Sequence, residues 1–172
     1  MINLFITILL SSCANNTNAD KHILSQDNSS QTIVSSDTSK LDSSYVPTGF
    51  YFLADKEQGI RMHKDHSDEN YNISPKPFVS VQNILRANAQ KNIVQGRVTY
   101  GVTIVLDNQG TTDLAEATGN SSYPYIAIVM ANRLLYVVEN TSKIKTGIMQ
   151  VILVDYAENE IDEMVNAIIK KK

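Results

Sequence analysis

The chain has 172 residues, 42% of them hydrophobic, a net charge of -3 and one cysteine. That length holds one domain with additional segments, and the apolar fraction supports a core over part of it. Basic residues are scattered except for Lys170, Lys171 and Lys172, so no positive field invites nucleic acid, and the lone Cys13 excludes an intramolecular disulfide.

The first residues, MINLFITILLSSC, carry an apolar run from Ile2 to Leu10 broken by Asn3 and Thr7. It is shorter than the roughly 20 residues a spanning helix needs and fits the hydrophobic region of a signal peptide. Leu10-Ser11-Ser12-Cys13 resembles the bacterial lipobox, although no Lys or Arg precedes the apolar run. The resemblance implies that residues 1–12 are a lipoprotein signal peptide, cleaved before an acylated Cys13. Lipid anchoring on the non-cytoplasmic side of a bacterial cell envelope follows as the expected location: the periplasm or outer membrane in a Gram-negative cell. Residues 14–47 are dominated by Ser, Asn, Thr and Asp, too polar to offset their ordering entropy. As a flexible coil they would span roughly 30–35 Å. The expected division is therefore 1–12 signal peptide, 13–47 acylated Cys and tether, and 48–172 a folded domain.

Within that domain, Gly49 to Leu53 reads as an aromatic-rich strand and Asp55 to Gly59 as a turn, with Ile60 to Met62 returning as a second strand. A polar, Pro-punctuated loop leads through an extended piece at Tyr71 to Ile73. Val79 to Ala89 has apolar residues at Val81, Ile84, Leu85 and Ala89, a spacing that predicts a helix capped by Ser80. Val102, Ile104 and Leu106 predict a strand with one buried face. Asp107 to Gly110 reads as a turn, and Thr111 or Thr112 as the cap of a helix through Thr118 that ends on a left-handed Gly119. Tyr125 to Met130 is apolar throughout, which predicts a strand covered on both faces. Ala131-Asn132 reverses the chain into an antiparallel Arg133 to Val138. Ile148 to Val154 supplies another strand. A final helix is expected from Asp155, with Glu158 three residues on and Ala157, Ile161, Met164, Val165 and Ile168 on one face.

These elements predict an α+β domain: a mainly antiparallel sheet with two or three helices, the C-terminal one packed on the sheet. Buried sheet positions should include Ile104, Ile126, Ile128, Leu134, Val151 and Leu153.

Residues Leu106 to Gly110, Leu114-Ala115-Glu116-Ala117-Thr118, Ile126 to Met130, Arg133-Leu134-Leu135 and Ile144 to Gly147 together resemble the head subdomain of the first periplasmic domain of SecD, a partner of the bacterial preprotein translocase. Upstream, Tyr71-Asn72-Ile73 and Pro75-Lys76-Pro77 resemble the lead-in of lipoproteins carrying this module alone. The resemblance covers residues 49 to 169. It departs at Tyr136-Val137-Val138, where the family often has Pro, and the sequence has neither a base subdomain nor transmembrane helices. Proton-driven work is therefore not implied, only capture or guidance of a polypeptide.

Three functions compete. The first is a non-enzymatic, lipid-anchored envelope protein that binds translocating polypeptides or translocase subunits and assists export. Its candidate binding loops carry Asp107, Asn108, Gly110, Tyr123, Tyr125, Asn140, Lys143, Lys145 and Gly147. The second is an envelope scaffold or maintenance lipoprotein with an unrelated protein partner. The third is a metal-dependent enzyme using His63 and His66 within the cluster His63, Asp65, His66, Asp68 and Glu69. That cluster lacks a second ligand group and an HExxH context. No nucleophile–base pair or phosphate-cradling glycine loop stands out. The expectation is no catalytic residue, no metal and no cofactor.

Overall fold

The computed structural model describes residues 45–170. The expected signal peptide, the Cys13 anchor and the tether up to residue 44 lie outside the described residues. The last residues assigned to the tether pack on the domain: Val46 is buried, and its N–H donates to Asn132 Oδ1 at 2.7 Å.

The architecture is α+β, with three antiparallel sheets and two helices, rather than one continuous sheet. Strands β1 (Gly49–Phe52), β2 (Ile60–His63), β3 (Asn70–Ile73) and β4 (Val79–Ser80) lead into a single 3-10 turn, Val81–Asn83. A long hairpin of β5 (Ile84–Val94) and β6 (Arg97–Leu106) follows, then α1 (Asn108–Thr118), β7 (Tyr125–Met130), β8 (Arg133–Glu139), β9 (Ile148–Leu153) and α2 (Glu158–Ile169). The sheets have the orders β4-β1-β7-β8, β2-β3 and β5-β6-β9. The strand at Ile60 therefore pairs with β3, not back onto β1.

Strand β7 explains its unbroken apolar run. Ile126, Ile128 and Met130 enter the larger core, shared with β6, β9, α1 and α2, while Ala127 and Val129 enter a second core beneath β2 and β3. An apolar side chain on each face is what a strand sandwiched between two layers requires. Ile104, Ile126, Ile128, Leu134, Val151 and Leu153 are all buried. Helix α2 closes the larger core through Ile161, Met164, Val165 and Ile168.

Several expectations about single elements are corrected. Residues 79–89 are not a helix. A strand end, a 3-10 turn and the start of β5 occupy them, and a register shift between Ile84 and Arg86 sets Leu85 out of alternation. The turn and the bulge place Val81 and Ile84 inward three residues apart, imitating a helical period; Ser80 precedes only this short turn and caps no backbone N–H, its own N–H donating to Asn83 Oδ1 at 3.1 Å. Gly119 is right-handed, with φ of -84°, so no left-handed backbone calls for glycine there, although a Cβ would sit tightly, 3.0 Å from the Ala115 carbonyl. Helix α2 starts at Glu158 rather than Asp155, which has a positive φ of 68°, and the reach-back comes from Glu160, whose Oε2 accepts from the Ala157 N–H at 2.9 Å.

Two reversals use left-handed pairs, Gln95-Gly96 and Ala131-Asn132, the geometry that matches the twist of a two-residue hairpin. The second is braced from outside: Thr48 Oγ1 accepts from the Ala131 N–H at 3.0 Å.

Candidate functional site

The candidate loops gather around α1. Residues 107–110 are its N-cap and first turn rather than a free loop, so Thr111 and Thr112, expected to cap the helix, lie inside it. Asp107 caps through Oδ1, accepting from the Gly110 N–H at 2.6 Å, while Asn108 is the first helical residue. Gly110 is buried against Asn83, and the approach leaves no room for a side chain, since a Cβ would lie 2.7 Å from Asn83 Cβ. Gly147 sits beside the same helical turn, where a side chain would collide with Thr111 Oγ1, and its carbonyl accepts from the Leu106 N–H at 2.7 Å. These two glycines are there for close packing.

Residues 139–147 run back along α1 and are stitched to it. The Asn140 Nδ2 donates to the carbonyls of Tyr123 at 2.9 Å and Ala117 at 3.2 Å, and its N–H donates to the Pro124 carbonyl at 2.7 Å. The Ile144 N–H donates to Thr118 Oγ1 at 2.8 Å. Lys143 and Lys145 are exposed, with the Lys143 stem lying beside Gly119. The structure thus makes Asn140 a bracket that holds the 120–124 loop in place.

What that loop presents is aromatic. Tyr123, 39% exposed, stacks on Phe52 with ring centroids 3.8 Å apart, and Phe52 stacks on Phe78 at 4.5 Å. The three rings form one wall of an open groove of about 260 Å³, completed by Asp113, Glu116, Ala117 and Asn120 from α1 and the turn after it. Asp113 is oriented by Gln109, whose Nε2 donates at 2.8 Å. Tyr125 is exposed at the start of β7, outside the groove lining. Sequence reasoning found Tyr123 but not Phe52, Phe78, Asp113 or Glu116. The one signal, and for Phe52 alone, was the aromatic enrichment of Gly49 to Leu53, read there as strand propensity. An open groove lined by aromatic rings and two carboxylates can take up apolar, aromatic or cationic side chains. It offers no nucleophile–base pair.

The polar cluster at residues 63–69 is dispersed by the fold. Lys64 pairs with Glu69, whose carboxyl is held below its ordinary value by that lysine. Asp65 and His66 enter a clamp that joins the loop to β8 and α2. Arg133 contacts Asp65 at 2.5 Å and Glu160 at 2.8 Å, and the Tyr156 hydroxyl donates to Asp65 at 3.0 Å. The His66 ring lies flat on Tyr156 at 4.3 Å, and the Arg133 guanidinium sits 5.2 Å from the same ring. The Ala157 N–H and then Arg133 hold the Glu160 carboxyl below its ordinary value, while burial and then Asp65 push the Tyr156 phenol up. Burial opposes the charge on Arg133, but its bonds to Glu160 and Asp65 outweigh that and raise its pKa. Among the described residues, no three His, Cys, Asp or Glu side chains converge as a metal site, and no helix is long and apolar enough to cross a membrane.

No protein-family model matches the chain, and no curated protein sequence does. Solved structures are similar to it. One is SecDF in a super-membrane-facing form, at 13% identity and a TM-score of 0.49, covering 70% of this chain and 18% of that one. Another is SecDF described as a membrane component that enhances protein export, at 16% identity and a TM-score of 0.47, covering 70% of this chain and 60% of that one. The chain therefore spans less than two thirds of the length of either structure.

Proposed function

We propose that the chain is a non-enzymatic, lipid-anchored envelope protein whose domain binds polypeptide segments at the Phe52–Phe78–Tyr123 groove and assists protein export. The observation that carries this reading is the aromatic ladder itself. Stacked rings with Tyr123 open to solvent are a costly surface to leave uncovered, and aromatic residues dominate the energetics of contacts they later bury. The groove is open and shallow, which suits side chains of a passing polypeptide better than an enclosed small molecule. The lipobox at Leu10 to Cys13 and the resemblance of residues 106–147 to the SecD head support the setting. Translocase subunits are the second class of partner in the same reading.

The test uses the purified full chain titrated with a fluorescent, reduced and carboxymethylated polypeptide, and in parallel with the same polypeptide folded. Binding of the unfolded form alone, weakened about tenfold by Tyr123→Ala, is the expected result; a ring buried at an interface contributes on the order of 1–2 kcal/mol. Equal binding of both forms, or none, rejects the reading. Membrane attachment is checked separately: Cys13→Ser should release the protein from membranes washed in high salt, which strips electrostatic contacts, and retention through that wash would remove the lipid anchor.

A further inference from the structure

The β5–β6 hairpin outruns the rest of its sheet. Strand β9 pairs with β6 only from Tyr100 to Val105, so Arg97, Val98 and Thr99 have only β5 beside them. These residues and their partners Asn92, Ile93 and Val94 extend about 10 Å past the third strand, at roughly 3.4 Å per residue. The turn at Gln95-Gly96 caps the projection.

Its chemistry is unlike that of the sheet beneath it. Ile93 and Val98 face each other across the hairpin, 77% and 52% exposed, on the face that carries Val102 and Ile104 into the core. The cover that α2 provides reaches Tyr100, whose hydroxyl donates to Glu158 Oε2 at 3.2 Å. Lys91 flanks the apolar pair on that face and Arg97 lies beside the turn, both exposed. From residue 84 to residue 106 the chain has Arg86, Lys91 and Arg97 and no acidic residue. In a chain of net charge -3, this hairpin carries positive charge alone, with Arg97 on the projection and Lys91 at its base.

We infer that this tip is a membrane-contacting site, with Ile93 and Val98 inserting into the interface of an anionic bilayer while Lys91 and Arg97 contact lipid phosphates. Charge and shape together select the occupant. Two aliphatic side chains on a narrow convex tip provide no pocket for a folded partner, whereas a fluid apolar phase needs no complementary shape. The length of the projection matches the roughly 5–10 Å depth of the headgroup and acyl boundary. Basic residues near an anionic leaflet add attraction that falls off within a Debye length. The inference is independent of the groove and of the lipid anchor.

The chain contains no tryptophan, so Ile93→Trp creates a single reporter at the tip. The full chain bearing it is mixed with phosphatidylglycerol vesicles and with phosphatidylcholine vesicles. A blue shift and quenching by brominated lipid are expected with phosphatidylglycerol alone, weakening as salt rises. Adding Lys91→Gln or Arg97→Gln should lower the ratio of inserted to free tip about fivefold each. Val98→Trp, across the hairpin, repeats the measurement if the first variant does not fold. Unchanged emission with phosphatidylglycerol overturns the inference. So does an equal shift from Ile148→Trp, which reports from an exposed position on β9 away from the tip.

Discussion

Two clusters on this domain differ in what they leave open. At the clamp, Asp65, Arg133, Tyr156 and Glu160 answer one another's charges and hydrogen bonds, and the rings of His66 and Tyr156 cover each other. At the groove, three stacked rings end on a Tyr123 face that nothing in the described domain covers fully. The first resembles an active site by residue type, yet its groups are consumed in joining three segments. The second has unremarkable residue types and keeps surface in reserve. Density of titratable side chains is thus a poor guide here, and unsatisfied surface a better one.

Breaking the clamp should have the largest effect on stability. Arg133→Met leaves the Asp65 and Glu160 carboxylates, each about one-quarter exposed, without their shared cation. A loss of about 2–3 kcal/mol is expected from uncompensated charges that are largely covered, read from the midpoint of urea unfolding, with polypeptide binding retained. Loss of binding at full stability would reverse the roles assigned to the two clusters. Asn140→Ala comes next. It removes the donor that the Tyr123 and Ala117 carbonyls share, and about 1–2 kcal/mol should be lost, with faster amide exchange in residues 120–124. Tyr123→Ala should cost under about 1 kcal/mol, since the ring is partly exposed, so its tenfold binding defect separates function from fold.

The smallest effect is one of pH. Glu160 has a folded pKa below its ordinary 4.5, held there by the Ala157 N–H and Arg133. A carboxylate shifted down stabilises the fold fully above the unfolded value and loses that contribution as pH falls through the folded one. Stability should therefore decline below about pH 4.5, and Glu160→Gln should flatten part of that decline in thermal melts. An unchanged acid limb in the variant would show that the clamp contributes nothing to acid sensitivity.

The sequence disclosed the covered strand at Tyr125 to Met130, the return through Arg133 and the buried face of α2, because each depends on a periodicity carried by its own residues. It misled at residues 79–89, where a 3-10 turn and a bulge produced helical spacing inside what becomes a strand. It also read the first turn of α1 as a loop, since Asp107 caps where a turn residue would equally serve. Neither cluster was legible as a whole. Arg133 meets Asp65 across 68 positions, and Tyr123 meets Phe52 across 71, and such pairings follow from sheet order rather than local pattern. Tyr123 was named from the sequence, but its ring partners required the β1–β7 pairing.

On the proposed function the groove, not the clamp, meets polypeptides. A photocrosslinking amino acid placed at position 123, and separately at position 66, in intact cells tests it most directly. Exported polypeptides or translocase subunits trapped from 123 and absent from 66 are the expected outcome; equal capture from both positions, or capture from 66 alone, would contradict it.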